Sequence, residues 1–269
     1  MPADSLTRTF GVALGVSLAC SFLVSISVVS LKPIQLENEE IAKTRTVFTD
    51  LDVIGDKASI ADIREIVDSV LVDLAAGEIV PEEAYTNTLN VIGFDIETMA
   101  EHPEYGREIP ADRDLAKIRR VPRYMVVHLV KKQGRITKYL LPVYGSGLYS
   151  TLYGYLALGR DLKTIEGITF YKHAETPGLG GEIDNPAWKT LWKGKQAFDE
   201  KGNVRIEIVH GRVDRSKPDA KYKIDGISGA TYTARGVNQL VRFWLSEQGF
   251  GPFIRKQKAK LKKSGEKTS

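Results

Sequence analysis

Phe10–Leu31 is a run of 22 residues with no charged side chain. As an α-helix it would span ~33 Å, about one hydrocarbon core of a bilayer. This sets the organisation of the chain: a membrane anchor over residues 10–31 after a tail over 1–9, and everything else outside the bilayer. A cleaved signal peptide competes with this reading, but its apolar core is usually shorter, with more positive charge ahead of it than Arg8 alone. A lipoprotein signal ending at Cys20 competes too, but Ser17 stands where such signals favour leucine, and the apolar run continues past the cysteine. Lys32, Lys43 and Arg45 follow the span and only Arg8 precedes it, so charge alone mildly favours a cytoplasmic body. Gly11, Gly15 and Ala19 form one stripe of small residues, and Ala13, Ser17, Ser21 and Ser25 a second on the opposite face. Such stripes allow close helix approach in lipid, and are also common in any such helix. No residue inside the span carries a charge at neutral pH, so the anchor alone offers no ion path.

The remainder has an ordinary globular balance, with 42% hydrophobic and 27% charged residues over 269 positions. The net charge of +4 is local: Ile254–Ser269 carries +6, leaving −2 elsewhere. A nucleic-acid-binding body would hold its positive charge on a folded face, so that class is set aside. The basic tail over 251–269 reads as a solvated end. The single cysteine excludes an intrachain disulfide and a two-cysteine metal site.

The pattern predicts α+β: a single N-terminal transmembrane helix, a helical or insert region over 32–122, and an antiparallel sheet with flanking helices over 123–250. Asn38–Asp50 reads as a short polar helix. Ser59–Leu74 reads as an amphipathic helix capped by Ser59, with Ile60, Ile63, Val67, Val70, Leu71 and Leu74 on one face. Glu101–Arg120 reads as a linker with little structure. Tyr124–Lys131 and Arg135–Leu141 flank Lys132-Gln133-Gly134 as a hairpin. Tyr153–Leu158, Ile165–Tyr171 and Asn203–Val209 are further strands. Tyr232–Glu247 is a closing helix that buries Val237, Leu240, Val241, Trp244 and Leu245.

Three loops carry the chemistry. Asp225-Gly226-Ile227-Ser228-Gly229-Ala230-Thr231-Tyr232-Thr233 brings three hydroxyls, Ser228, Thr231 and Thr233, to the start of the closing helix. A helix N-terminus with free N–H groups suits a phosphate; a well-capped helix start with Thr233 as cap is the alternative. Gly226–Ala230 nearly fits a serine nucleophile elbow, but Ala230 replaces its last glycine and His102, His128, His173 and His210 all precede Ser228. A hydrolase triad of that fold needs its histidine after the serine. The second loop, His173–Glu182, has three glycines and a proline, a shaped turn with exposed N–H groups. No second metal ligand stands at a useful spacing from His173, which reads as a surface histidine. The third, Tyr144–Thr151, contains Gly-x-Gly, but Ser150 replaces the last glycine of a dinucleotide fingerprint and strands follow. Tyr149 in this loop suits packing on a planar cofactor or in a core.

Asp225–Thr231 resembles the flavinylation motif of the FMN-binding domain family, found in an FMN-carrying subunit of sodium-translocating NADH:quinone reductases and in the corresponding Rnf-complex protein. Glu175–Glu182 resembles that family's Glu-Thr-Pro-Gly-Leu-Gly turn. Gly147–Tyr153 resembles the segment where the family usually has tryptophan; this chain has Tyr149. Asn185-Pro186-Ala187-Trp188 and Trp192-Lys193-Gly194-Lys195 look more like the reductase branch. The resemblance implies FMN joined by a phosphoester to Thr231, with Asp225 in the motif. Ser228, Gly229, Ala230 and Thr233 would lie near the phosphate, and Glu175, Thr176, Gly178, Leu179, Tyr149 and Ser150 near the ring. It also implies partners: the other membrane subunits of a six-subunit reductase, and a flavin transferase for maturation. The complex would couple NADH oxidation by quinone to Na⁺ export in a bacterial inner membrane, with the body on the periplasmic side, against the charge count. The alternatives are an Rnf-type subunit and an anchored flavoprotein outside any pump.

Overall fold

The computed structural model describes residues 6–55 and 60–266. The elements in chain order are α1 (Leu6–Asp50), α2 (Ile60–Ile66), β1 (Val67–Asp73), β2 (Glu78–Ile79), α3 (Ile96–Glu101), β3 (Gly106–Glu108), β4 (Arg120–Pro122), β5 (Tyr124–Lys132), β6 (Arg135–Ser146), β7 (Thr151–Gly159) and β8 (Ile165–Lys172). α4 (Pro186–Thr190), β9 (Glu207–Ile208), β10 (Lys223–Ile224), α5 (Thr231–Leu245) and α6 (Gly251–Glu266) complete them. The chain divides into two units at Arg45/Thr46.

In the first unit, Thr9–Lys32 is long and apolar enough to cross a membrane, and none of it is buried. The helix does not restart at Asn38 as the sequence suggested; α1 is continuous to Asp50.

The second unit is built on an antiparallel sheet in the order β2-β1-β5-β6-β7-β8. The central strands alternate between two buried faces. Val127, Leu129, Leu141, Val143, Leu156 and Leu158 join Val237, Leu240, Val241, Trp244 and Phe253 in the main core. On the opposite face, Val130, Leu140 and Ala157 pack with Val47, Phe48, Leu51 and Ile63. Asp50 holds that layer down: its Oδ2 accepts from Thr169 Oγ1 at 2.5 Å and Lys189 Nζ at 2.7 Å. The Lys138 ammonium donates to the Leu51 carbonyl at 2.8 Å.

Gln133 and Gly134, with φ of 50° and 73°, make the expected hairpin turn between β5 and β6. Both central residues of a type I′ turn need positive φ, which matches strand twist. The closing helix is α5, with its expected apolar face buried.

Five further readings are corrected. The helix over Ser59–Leu74 stops at Ile66, and Val67–Asp73 is a strand paired along its length with β5. Its apolar residues fit both periods, and seven ladder positions on a waiting edge outweigh helix propensity; Ser59 lies outside the described residues. Residues 32–122 therefore contribute β1 and β2 to the main sheet and hold the separate pair β3 and β4, of which β3 lies within Glu101–Arg120. Only Glu207–Ile208 of Asn203–Val209 is a strand, parallel to β10. The basic tail is not a solvated end: α6 buries Phe253, Ile254 and Gln257 and turns most of its lysines outward.

Candidate functional site

The loop 225–231 is fixed at its start and open at its end. Asp225 Oδ1 accepts the Val213 N–H at 2.8 Å, and its carbonyl accepts the Trp188 indole N–H at 3.0 Å. Its other carboxylate oxygen lies 3.8 Å from the Arg215 guanidinium, and the Gly226 N–H donates to the Gly211 carbonyl at 2.7 Å. Gly229, at φ +73°, then turns the chain into α5. The N-cap is Ala230, which has no side-chain acceptor for the first-turn N–H groups. Ser228, Gly229 and Thr231 are exposed there.

Thr233 is not the cap the sequence suggested. It is 1% exposed, and its hydroxyl donates to Glu175 Oε2 at 2.5 Å. Glu175, itself 5% exposed, accepts at Oε1 the N–H groups of Leu148, Tyr149 and Ser150 at 3.1, 3.0 and 3.3 Å. One carboxylate thus ties all three loops together with four donors. Both Glu175 carboxylate oxygens face inward, onto these donors. Ser150 joins the clamp, its Oγ accepting the Ala174 N–H at 2.8 Å.

Thr176–Gly181 is a turn closed by the Thr176 carbonyl, which accepts the N–H groups of Leu179 and Gly181 at 3.1 and 2.9 Å, with Gly178 at φ +74°. The close packing underneath requires Gly180, where a Cβ would lie 2.5 Å from Thr233 Oγ1 and 2.7 Å from Glu175 Oε2. The His173 side chain is 13% exposed rather than a surface group. Its Nδ1 accepts the Glu175 N–H, which assigns the proton to Nε2, 2.7 Å from Asp184.

The outer surface of the clamp is apolar. Leu148, Tyr149, Leu179 and Tyr232 are the large side chains left exposed on these loops, Tyr149 at 70% and Tyr232 at 64%. Leu179 Cδ2 would meet a Cβ on Gly229 at 3.1 Å, so the second and first loops touch. Exposed apolar side chains on three joined loops, with the exposed hydroxyls of Ser228 and Thr231 at a helix start, suit a ligand with an anionic end and a flat apolar body. Sequence reasoning missed Leu148, Gly180 and Tyr232. The glycine-rich pattern signalled a shaped turn, but nothing local linked Glu175 to Thr233, 58 residues away.

The family model for the FMN-binding domain matches residues 147–246, which contain most of all three loops. The crystal structure of Shewanella oneidensis NqrC superposes with a TM-score of 0.71 at 33% identity, covering 81% of this chain and 99% of that one. The NqrC subunit of the Na(+)-translocating NADH-quinone reductase from Pseudomonas aeruginosa is 40% identical over 93% of this chain and 95% of its own length. Its counterpart from Vibrio parahaemolyticus is 37% identical over 94% and 95%. With such identity along nearly the whole length and the fold shared, this chain belongs to the NqrC family of Na(+)-translocating NADH-quinone reductase subunits.

Proposed function

We propose that this chain carries FMN by a phosphoester on Thr231 and relays electrons within a sodium-exporting NADH:quinone reductase. The observation that carries this reading is the exposed Thr231 at the uncapped start of α5, beside exposed Ser228 and a rim of Leu148, Tyr149, Leu179 and Tyr232. That donor set fits FMN: hydroxyls and first-turn N–H groups for a phosphate, apolar side chains for a ring. When bound, FMN supplies reversible uptake and release of electrons, one or two at a time.

The chain's own residues do the positioning. Thr231 Oγ1 is the attachment atom, with Ser228 and Gly229 beside it. Tyr149, Leu179, Thr176 and Gly178 present the exposed surface toward the ring. Ala230 and buried Thr233 hold the start of α5 in place, and Glu175 and Ser150 fix the loops behind them. Partners are the other membrane subunits and a flavin transferase, because a threonine hydroxyl is not nucleophilic enough unaided. Thr9–Lys32 anchors the chain in the inner membrane. The body lies on the periplasmic side, following the family resemblance rather than the charge count.

The test is Thr231→Ala co-expressed with the transferase and read by flavin fluorescence in a denaturing gel and by intact mass. The wild-type band fluoresces and the variant band does not. Stability changes by less than ~1 kcal/mol, because the side chain is exposed. Full flavin on the alanine variant overturns the assignment.

A further inference from the structure

A cavity of about 270 Å³ borders Asp225 and is lined by Thr190, Leu191, Lys195, Arg215, Lys223 and Asp225. Three of the six are cations and one is a carboxylate. Lys195 ends the Trp192–Lys195 run, which the flavin reading leaves unused. Its ammonium donates to the Ala220 carbonyl at 2.8 Å, leaving further hydrogens to place. Burial and the nearby Arg215 charge both pull this ammonium below the usual lysine range, against an opposing pull from Asp225. The Arg215 guanidinium, 72% exposed, is 3.8 Å from Asp225. Lys223 is balanced from outside the lining by Asp219 at 2.7 Å and Glu207 at 3.7 Å. The Lys195 and Arg215 charges therefore line one cavity and act on each other, with Asp225 the one carboxylate in the lining, an arrangement that an added anion relieves.

We propose that this cavity is an oxyanion site that takes a phosphate-type group among Lys195, Arg215 and Lys223, and that its occupant stiffens the loop beginning at Asp225. The volume sets the ligand class. It falls below the roughly 300–1,000 Å³ of sites for drug-sized molecules, and it fits a phosphate-sized group. Arg and Lys together are the residues that bind such groups, by fork geometry and point charge. The link to the loop is Asp225 itself. Its carboxylate lines the cavity and takes the Val213 N–H, and the next residue donates to Gly211. An anion held by Arg215 and Lys195 pins the same wall from the other side. This inference does not depend on flavin at Thr231.

The experiment titrates the full detergent-solubilised chain at low ionic strength with inorganic phosphate and, separately, with AMP, by calorimetry. Hydrogen exchange at the Val213 and Gly226 amides is followed in parallel. Saturable phosphate binding with slower exchange at both amides is expected. Lys195→Met and Arg215→Met should each weaken it by at least about tenfold, the scale of one charge-assisted hydrogen bond, while Lys195→Arg retains binding. Phosphate binding as tight as AMP or tighter identifies the free anion as occupant, and tighter AMP binding identifies a phosphate carried on a nucleotide. Arg215 is largely exposed, so its variant carries the test even if Lys195→Met fails to fold. Absence of saturable binding by either probe, or unchanged affinity in the folded methionine variants, overturns the proposal.

Discussion

Glu175→Gln tests how the three loops are held. In the wild type, one buried carboxylate accepts three backbone N–H groups and the Thr233 hydroxyl. The amide keeps an oxygen for the backbone donors but loses the charge. It also presents an NH₂ group to Thr233, whose hydroxyl must then turn away. Hydrogen bonds to a charged acceptor are worth about 1.5–3 kcal/mol net and neutral ones about 0.5–1.5. Four weakened bonds at roughly 1 kcal/mol each, discounted because they share one acceptor, give a loss of about 2–4 kcal/mol. In a body of roughly 200 residues that lowers the thermal midpoint by about 5–15 °C. The assay is thermal unfolding of the full chain by circular dichroism, with hydrogen exchange at Leu148, Tyr149 and Ser150, where protection should fall. Thr233→Val, which removes one donor and leaves the carboxylate, should cost less, about 1–2 kcal/mol. A Gln variant within about 0.5 kcal/mol of wild type, with those amides still protected, refutes the clamp.

Phe253→Ala should cost about 3–5 kcal/mol in denaturant unfolding, because the ring is fully buried at the start of α6; a solvated tail would show no change. Gly180→Ala should destabilise by about 1–3 kcal/mol in the same assay, since its Cβ would press on the Thr233–Glu175 pair. Burial raises the Tyr153 phenol well above the usual range, helped by its hydrogen bond to Glu97, and burial raises that of Tyr144 as well. A folded-state pKa above the unfolded one gives stability that is complete below the unfolded value and lost as pH rises. Alkaline unfolding should therefore begin above about pH 10, and an ultraviolet difference titration should show these two phenols ionising later than exposed tyrosines.

The sequence determined whatever depends on near neighbours. The uncharged length of Phe10–Leu31 specified the anchor through bilayer thickness. Apolar and β-branched runs bounded by glycine-containing turns specified β5 to β8, and Gln133-Gly134 specified their first turn. The 3.6-residue pattern specified α5. The motif order around Asp225–Thr231 and Glu175–Glu182 pointed to the family, because chemistry is carried there by residue identity. Only the tertiary structure decided the features that depend on distant partners. Val67–Asp73 became a strand because β5 offered it an edge, and α6 packed because the core had room for Phe253. Thr233 lost its expected cap role because a carboxylate 58 residues away captures its hydroxyl. Glu175 turned inward for the same reason: three part-buried N–H groups and the buried Thr233 hydroxyl from two other loops converge where its oxygens can satisfy them, and leaving such groups unpaired costs more than giving up contact with solvent.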